Sequence, residues 1–237
     1  MKIAMWSGPR NLSTALMYSF ASRADTSVVD EPLYAAYLAN TGLEHPMRDE
    51  ILASQSQDFD SVIARLVGPQ ETQITYQKQM THHLPDELSL DWLLSMHNVL
   101  LLRHPARVVA SYAAKRAEIG LDDLGFGQQK RIFDFLRDRN APVVVIDSTD
   151  IRAHPEANLR ALCSALGLSW DASMLSWTLG PNPNDGVWAS HWYGAIHNST
   201  GFQDAEGSLP RLNPGLQVIA DRAMPIYDAL SEHRLVI

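Results

Sequence analysis

Cysteine is almost missing: Cys163 alone excludes a disulfide framework within the chain and points to a reducing compartment. Long apolar runs are missing too, and no stretch reaches the roughly 18 residues that a membrane-spanning helix needs. The apolar start, Met1 to Trp6, is too short for a signal peptide and reads as a buried strand. A cytoplasmic protein with no membrane contact is the expectation. Positive charge is scarce: 19 Lys and Arg stand against 27 Asp and Glu, for a formal net charge of −8. That balance argues against a nucleic-acid partner, whose phosphates need a basic face. It leaves room for a few Arg, Lys and backbone N–H groups around one small anion. Apolar residues, by contrast, are ample at 46%, so a chain of 237 residues can bury a substantial core as one domain.

Short β-branched runs alternate with amphipathic stretches, the pattern of βαβ units around a parallel sheet. Strands are predicted at Lys2–Trp6, Ser27–Val29, Gln73–Lys78, Asn98–Leu102 and Pro142–Ile146. Their nearly continuous apolar character suits a sheet of about five strands covered by helices on both faces, a three-layer α/β domain spanning 1–237. Leu12, Leu16 and Phe20 define a first helix. Further helices are predicted over Glu50–Leu66, Asp86–Met96, Pro105–Lys115, Lys130–Arg139 and Pro155–Leu166. Asn213-Pro214 opens a last helix with Leu216, Ile219, Ala223 and Tyr227, kinked at Pro225. Before it, the segment at about 180–213 is rich in Gly, Pro and Asn yet carries Trp188, His191, Trp192, Tyr193, His197 and Phe202. Disordered segments are poor in aromatics, so this one reads as a lid or acceptor loop folded over a site.

The turn between the first strand and first helix is Ser7-Gly8-Pro9-Arg10-Asn11-Leu12-Ser13-Thr14. A loop there aims several backbone N–H groups at one spot, with the positive end of a helix dipole behind them. Gly8 permits unusual backbone angles, Pro9 fixes the turn, Arg10 adds a cation, and Ser13 and Thr14 offer hydroxyls. The geometry is that of a phosphate-binding loop, although the G-x-x-x-x-G-K-[ST] pattern is absent. The plainer alternative is a structural turn with Ser13 as N-cap. A second constellation is Val99-Leu100-Leu101-Leu102-Arg103-His104-Pro105-Ala106-Arg107-Val108-Val109-Ala110-Ser111. A buried strand ends in Arg103, Pro105 starts a helix, and Ser111 lies on its second turn, so Arg103 and Ser111 can clamp a second phosphate at the mouth of the sheet.

Together these segments resemble the phosphate-binding motifs of the sulfotransferase family, which uses 3′-phosphoadenosine 5′-phosphosulfate (PAPS). Pro9, Arg10, Ser13 and Thr14 match the family's 5′-phosphosulfate loop, Pro-(Lys/Arg)-Ser-Gly-Thr-Thr, with Asn11-Leu12 in place of Ser-Gly. Arg103, Pro105 and Ser111 match its Arg-x-Pro motif with a Ser eight residues after the Arg, which implies a 3′-phosphate site. A third stretch, from Ile146-Asp147-Ser148 through Pro155 to Leu166-Gly167-Leu168, is similar to the family's later strand-then-helix segment. The family's late Arg/Lys-Lys-Gly stretch is not visible, and His197 to Phe202 is the candidate to replace it. The resemblance implies a P-loop NTPase-like sulfotransferase fold, PAPS as co-substrate held by Gly8 through Thr14 with Arg103 and Ser111, and transfer to a small-molecule acceptor. It assigns no oligomeric state.

Sulfuryl transfer needs positioned charge at the moving group and its leaving phosphate. Arg10, Lys78 and the loop N–H groups are the candidates, and the modest charge of a sulfuryl group makes a metal unnecessary. The acceptor also needs a general base. Glu31, after the second strand in Asp30-Glu31-Pro32, is the preferred one and resembles a catalytic Glu of some sulfotransferases. The competing segment, Lys78-Gln79-Met80-Thr81-His82-His83-Leu84-Pro85, resembles Lys-Thr-His-Leu-Pro of the cytosolic enzymes with a longer spacing. Lys78 then stabilises charge, with His82 or His83 behind it. Acids after strands also serve as caps, and paired loop histidines are commonly solvated. His191 and His197 have no Cys and no close acidic partner in sequence, which speaks against zinc. An acceptor pocket is expected from Tyr34–Leu38, the Phe126 region and Trp188–Tyr193. Competing functions are a P-loop kinase or nucleotide hydrolase, and a non-catalytic nucleotide-binding module.

Overall fold

The computed structural model describes residues 1–114 and 119–237. Five parallel strands form one sheet: β1 (Lys2–Ser7), β2 (Thr26–Asp30), β3 (Ile74–Met80), β4 (His97–Leu102) and β5 (Val143–Asp147), in the order β2-β3-β1-β4-β5. The helices are α1 (Ser13–Ala21), α2 (Tyr34–Thr41), α3 (Arg48–Ser54), α4 (Phe59–Val67), α5 (Pro105–Ala113), α6 (Phe126–Asp138), α7 (Ser148–Ala153), α8 (Pro155–Ala165), α9 (Ala189–Trp192), α10 (Gly194–His197) and α11 (Pro214–Ser231). All five predicted strands are present, with ends that differ from the prediction by no more than two residues.

The sheet buries both faces because neighbouring side chains point opposite ways. Ile3 and Met5 of β1, with Val99 and Leu101 of β4, meet Leu16 and Phe20 of α1 and Leu159 and Leu162 of α8. Ala4, Trp6, Leu100 and Leu102 face the other way, onto Ile132, Phe133 and Leu136 of α6 and Val62 and Leu66 of α4. The result is the three-layer α/β arrangement expected. Since every pairing is parallel, the C-terminal ends line up on one edge: Ser7 beside Met80 and Leu101, Asp30 beside Lys78, Leu102 beside Asp147. β1 sits between β3 and β4, so the connections on its two sides diverge and open a crevice there.

Two of the helix predictions need redrawing. Glu50–Leu66 is two helices, α3 and α4, because Asp58 accepts a hydrogen bond from Ser61 N at 2.8 Å and caps the second. Asp86–Met96 contains only a 3-10 segment at Asp91–Ser95. Side chains take its carbonyls instead: Arg131 donates to Pro85 O and Leu88 O, and Asn98 to Leu93 O. The helix from Pro105 is described to Ala113, and the predicted end at Lys115 lies outside the described residues. The last helix starts at Pro214 with the Asn213 cap as predicted, and it runs through Pro225, whose missing N–H removes one internal hydrogen bond. Among the described residues no helix is long and apolar enough to cross a membrane.

Candidate functional site

A cavity of about 350 Å³ opens on the C-terminal edge of the sheet. One side is the loop from Pro9 to Thr14 with Arg103 and Ser111, and the other is Glu31, Lys78, His82 and His83. Residues separated by up to a hundred positions thus converge because they follow strands of one parallel sheet.

The phosphate-loop side rests on unusual backbone. Arg10 has a positive φ of 55°, a left-handed conformation that costs a non-glycine residue on the order of 1 kcal/mol or more. Three contacts hold it there: Arg103 Nη1 donates to Arg10 O, Arg10 Nε donates to Ser111 Oγ at 3.1 Å, and Asn11 Nδ2 donates to Leu101 O at 2.9 Å. Burial, with the neighbouring Arg103 charge, lowers the Arg10 pKa from its usual value. The N-cap of α1 is Leu12 with no side-chain cap, so Ser13 is not the cap that the plainer reading supposed. The first-turn N–H groups of α1 consequently lack a side-chain acceptor at the cavity wall. Gly8 plays a different part from the one expected. It does not line the cavity, and its φ is not positive; a Cβ there would lie 2.2 Å from Leu124 O. Its role is close approach, not unusual angles.

The opposite side is a buried charge cluster. Lys78 Nζ donates to Asp30 Oδ1 at 2.9 Å, to Glu31 Oε1 and to the Tyr193 hydroxyl. Burial alone would depress the Lys78 ammonium; Asp30 and Glu31 reverse this and hold its pKa above the usual value. Burial, aided by Asp30, raises the Glu31 carboxyl above its ordinary range against the opposing pull of Lys78. Glu31 also has a positive φ of 38°, pinned by its N–H to Lys78 O at 2.9 Å and by Gln55 Nε2 on its carbonyl at 3.2 Å. Both Arg10 and Glu31 therefore sit on strained turns at strand ends, a recurrent feature of functional sites. His83 stacks on Tyr34 and Tyr37 with ring centroids 4.5 and 4.7 Å away. Burial, then the charges of His82, His45 and Lys78, depress its pKa well below the usual histidine value and keep it neutral.

The aromatic segment supplies what the sequence reading did not foresee. Tyr193, at the junction of α9 and α10, donates to Asp30 at 2.9 Å and accepts from Trp188 Nε1 at 3.1 Å. Tyr34, Trp192, Tyr193 and Ile196 line the cavity, while Trp188 and Leu38 are core and Phe126 turns into a separate cluster with Val108 and Tyr112. His191 is exposed. His197 does have an acidic partner, contrary to expectation: Asp185 lies 3.0 Å from Nε2, brought there as α10 folds back. No group of three or more His, Cys, Asp or Glu side chains is gathered as a metal site among the described residues. Arg152 of α7 and Ser148 also line the cavity, and Glu206 meets Arg103, Arg107 and Arg152. Sequence offered a signal for Arg107, one turn after Arg103, but none for Glu206.

Known proteins resemble this chain in sequence and in fold. A plant protein from Arabidopsis thaliana, branched-chain-amino-acid aminotransferase-like protein 1, is 38% identical over 98% of this chain. The chain spans only 42% of that relative's length. Two solved structures share the fold at low identity. The mouse sulfotransferase SULT7A1 complexed with PAP has a TM-score of 0.56 and 11% identity, covering 99% of this chain and 89% of its own. A sulfotransferase from Alicyclobacillus acidocaldarius has a TM-score of 0.55 and 12% identity, covering 98% and 96%. The family model described as a sulfotransferase domain matches residues 1–234, and over that whole length the chain belongs to the sulfotransferase family of enzymes.

Proposed function

We propose that this chain transfers a sulfuryl group from PAPS to a hydroxyl or amine of a small acceptor. One observation carries the proposal: a single cavity joins an uncapped helix N-terminus and two arginines to a buried carboxylate whose pKa is raised. The first half suits a bisphosphorylated nucleotide and the second suits proton removal. The Pro9–Thr14 loop holds the 5′-phosphosulfate, while Arg103 and Ser111 serve the 3′-phosphate. Glu31 removes the acceptor proton as the acceptor oxygen or nitrogen bonds to sulfur. The bond from sulfur to the bridging oxygen breaks at the same time, leaving adenosine 3′,5′-bisphosphate. Arg10 and Lys78 stabilise the charge that gathers on that leaving group. Tyr34, Trp192, Tyr193 and Ile196 give the acceptor an apolar, aromatic wall. His82 and His83 stand behind Lys78, and neutral His83 cannot contribute charge. The lining suits a small acceptor and the protein a cytoplasmic setting.

Turnover of PAPS with a panel of phenols, alcohols and amines tests this reading. The wild-type chain releases adenosine 3′,5′-bisphosphate with at least one acceptor. Glu31→Gln binds the bisphosphate normally yet loses about 10² to 10⁴ in rate. Tight bisphosphate binding without transfer to any acceptor means a binding module instead.

A further inference from the structure

Glu206 belongs to a stretch with no helix or strand, flanked by exposed Ala205 and Gly207, yet its own side chain is only 3% exposed. Its carboxylate pairs with Arg103 and lies 3.1 Å from both Arg107 Nε and Arg152 Nη1. Thr149 Oγ1 adds a longer contact at 3.4 Å, and Arg107 also donates to Gly207 O. Three guanidinium groups thus converge on a single carboxylate in a protein whose net charge is −8. The cluster keeps an excess of two positive charges (three Arg against one Glu), which a phosphate monoester dianion matches better than a carboxylate does. Arg103 and Arg152 also face the cavity. A second observation marks the same wall: Ser148 lines the cavity and is 1% exposed, and its buried Oγ has no hydrogen-bond partner among the described residues.

We propose that Glu206 is a built-in stand-in for a phosphate: its carboxylate holds Arg103, Arg107 and Arg152 together until the nucleotide's 3′-phosphate displaces it. The swap rests on the nucleotide reading above, and it couples binding of the bisphosphate to release of the 203–207 segment. A charged plug of this kind lowers apparent affinity by the fraction of time it occupies the site, while keeping the arginines from repelling one another when no ligand is bound. A ligand that carries only the 5′-phosphate has nothing to displace Glu206 with, so the plug leaves its affinity unchanged.

Calorimetric titration with adenosine 3′,5′-bisphosphate and with adenosine 5′-phosphate tests the swap. Glu206→Gln, which keeps the shape and removes the charge, binds the bisphosphate about tenfold more tightly than wild type and leaves adenosine 5′-phosphate affinity unchanged. Its unliganded form melts lower than wild type, and saturating bisphosphate removes the difference. Equal or weaker bisphosphate binding by Glu206→Gln, in a wild type that prefers the bisphosphate, overturns the swap and leaves the nucleotide reading standing. Wild-type binding of neither nucleotide overturns both. Hydrogen exchange on the wild-type chain gives an independent readout: bisphosphate speeds exchange at 203–207, and slower exchange there overturns the displacement.

Discussion

Glu31 and Lys78 hold opposite charges in a setting that ordinarily expels both: Glu31 and Asp30 keep the Lys78 ammonium, and Lys78 holds Glu31 against the repulsion of Asp30. The same burial that raises the Glu31 pKa makes it a stronger proton acceptor than an exposed carboxylate. His83 carries a separate consequence. Its folded pKa lies well below the unfolded value near 6.5, so the native state resists a proton that the unfolded chain accepts. Stability is therefore full above about pH 6.5 and falls as the pH drops toward the folded value, by up to about 1.4 kcal/mol per pH unit. Urea denaturation from pH 7 to pH 5 measures that slope, and His83→Gln flattens it. An unchanged slope in the variant would mean that other groups set the acid limb. At this scale Glu31, Lys78, Arg10 and Arg103 were legible because each lies within three residues of the C-terminal end of a strand. Tyr193 and Glu206 were not: Asp30 is 163 residues from the first and Arg103 is 103 from the second, and no local pattern announces either contact.

The turn after β1 shows how an element is fixed by its neighbours. Gly8 is required by the Leu124 carbonyl, which approaches from the segment before α6, so Gly8→Ala forces one of two backbones to move. The expected cost is about 1 to 3 kcal/mol, or a melting temperature lower by several degrees in a domain of this size. A calorimetric scan checks it, and an unchanged melting temperature would show that the Leu124 segment yields freely. Elements with a strong apolar period, such as β1, β4 and α8, were read from sequence almost to the residue. The stretch between β3 and β4 was not, because Arg131 and Asn98 compete for its carbonyls and stop a helix whose apolar spacing looked adequate. The Gly180–Pro214 segment gained two short helices, α9 and α10, once Trp188 found a place in the core.

For the molecule as a whole, parallel strand order does most of the functional work. It sets five strand ends on one edge and lets an acidic chain build a local cationic pocket beside a buried carboxylate. The alternation of strand and helix patterns with three ordered motif matches made this architecture readable in advance, and two of those motifs, the phosphate loop and the Arg103–Ser111 segment, flank the point where the connections diverge. The acceptor wall was less legible: it comes from α2 and the aromatic segment, whose side chains meet only after folding. The central claim is that the cavity takes a nucleotide with phosphates at both the 3′ and 5′ positions. Thermal melting with adenosine 3′,5′-bisphosphate, set against ATP with Mg²⁺, tests it most directly, since a ligand that binds only the native state raises the melting temperature. The account predicts a shift with the bisphosphate that Arg103→Ala abolishes while the variant remains folded; a shift with ATP and Mg²⁺ alone would contradict it and point to a kinase or nucleotide hydrolase.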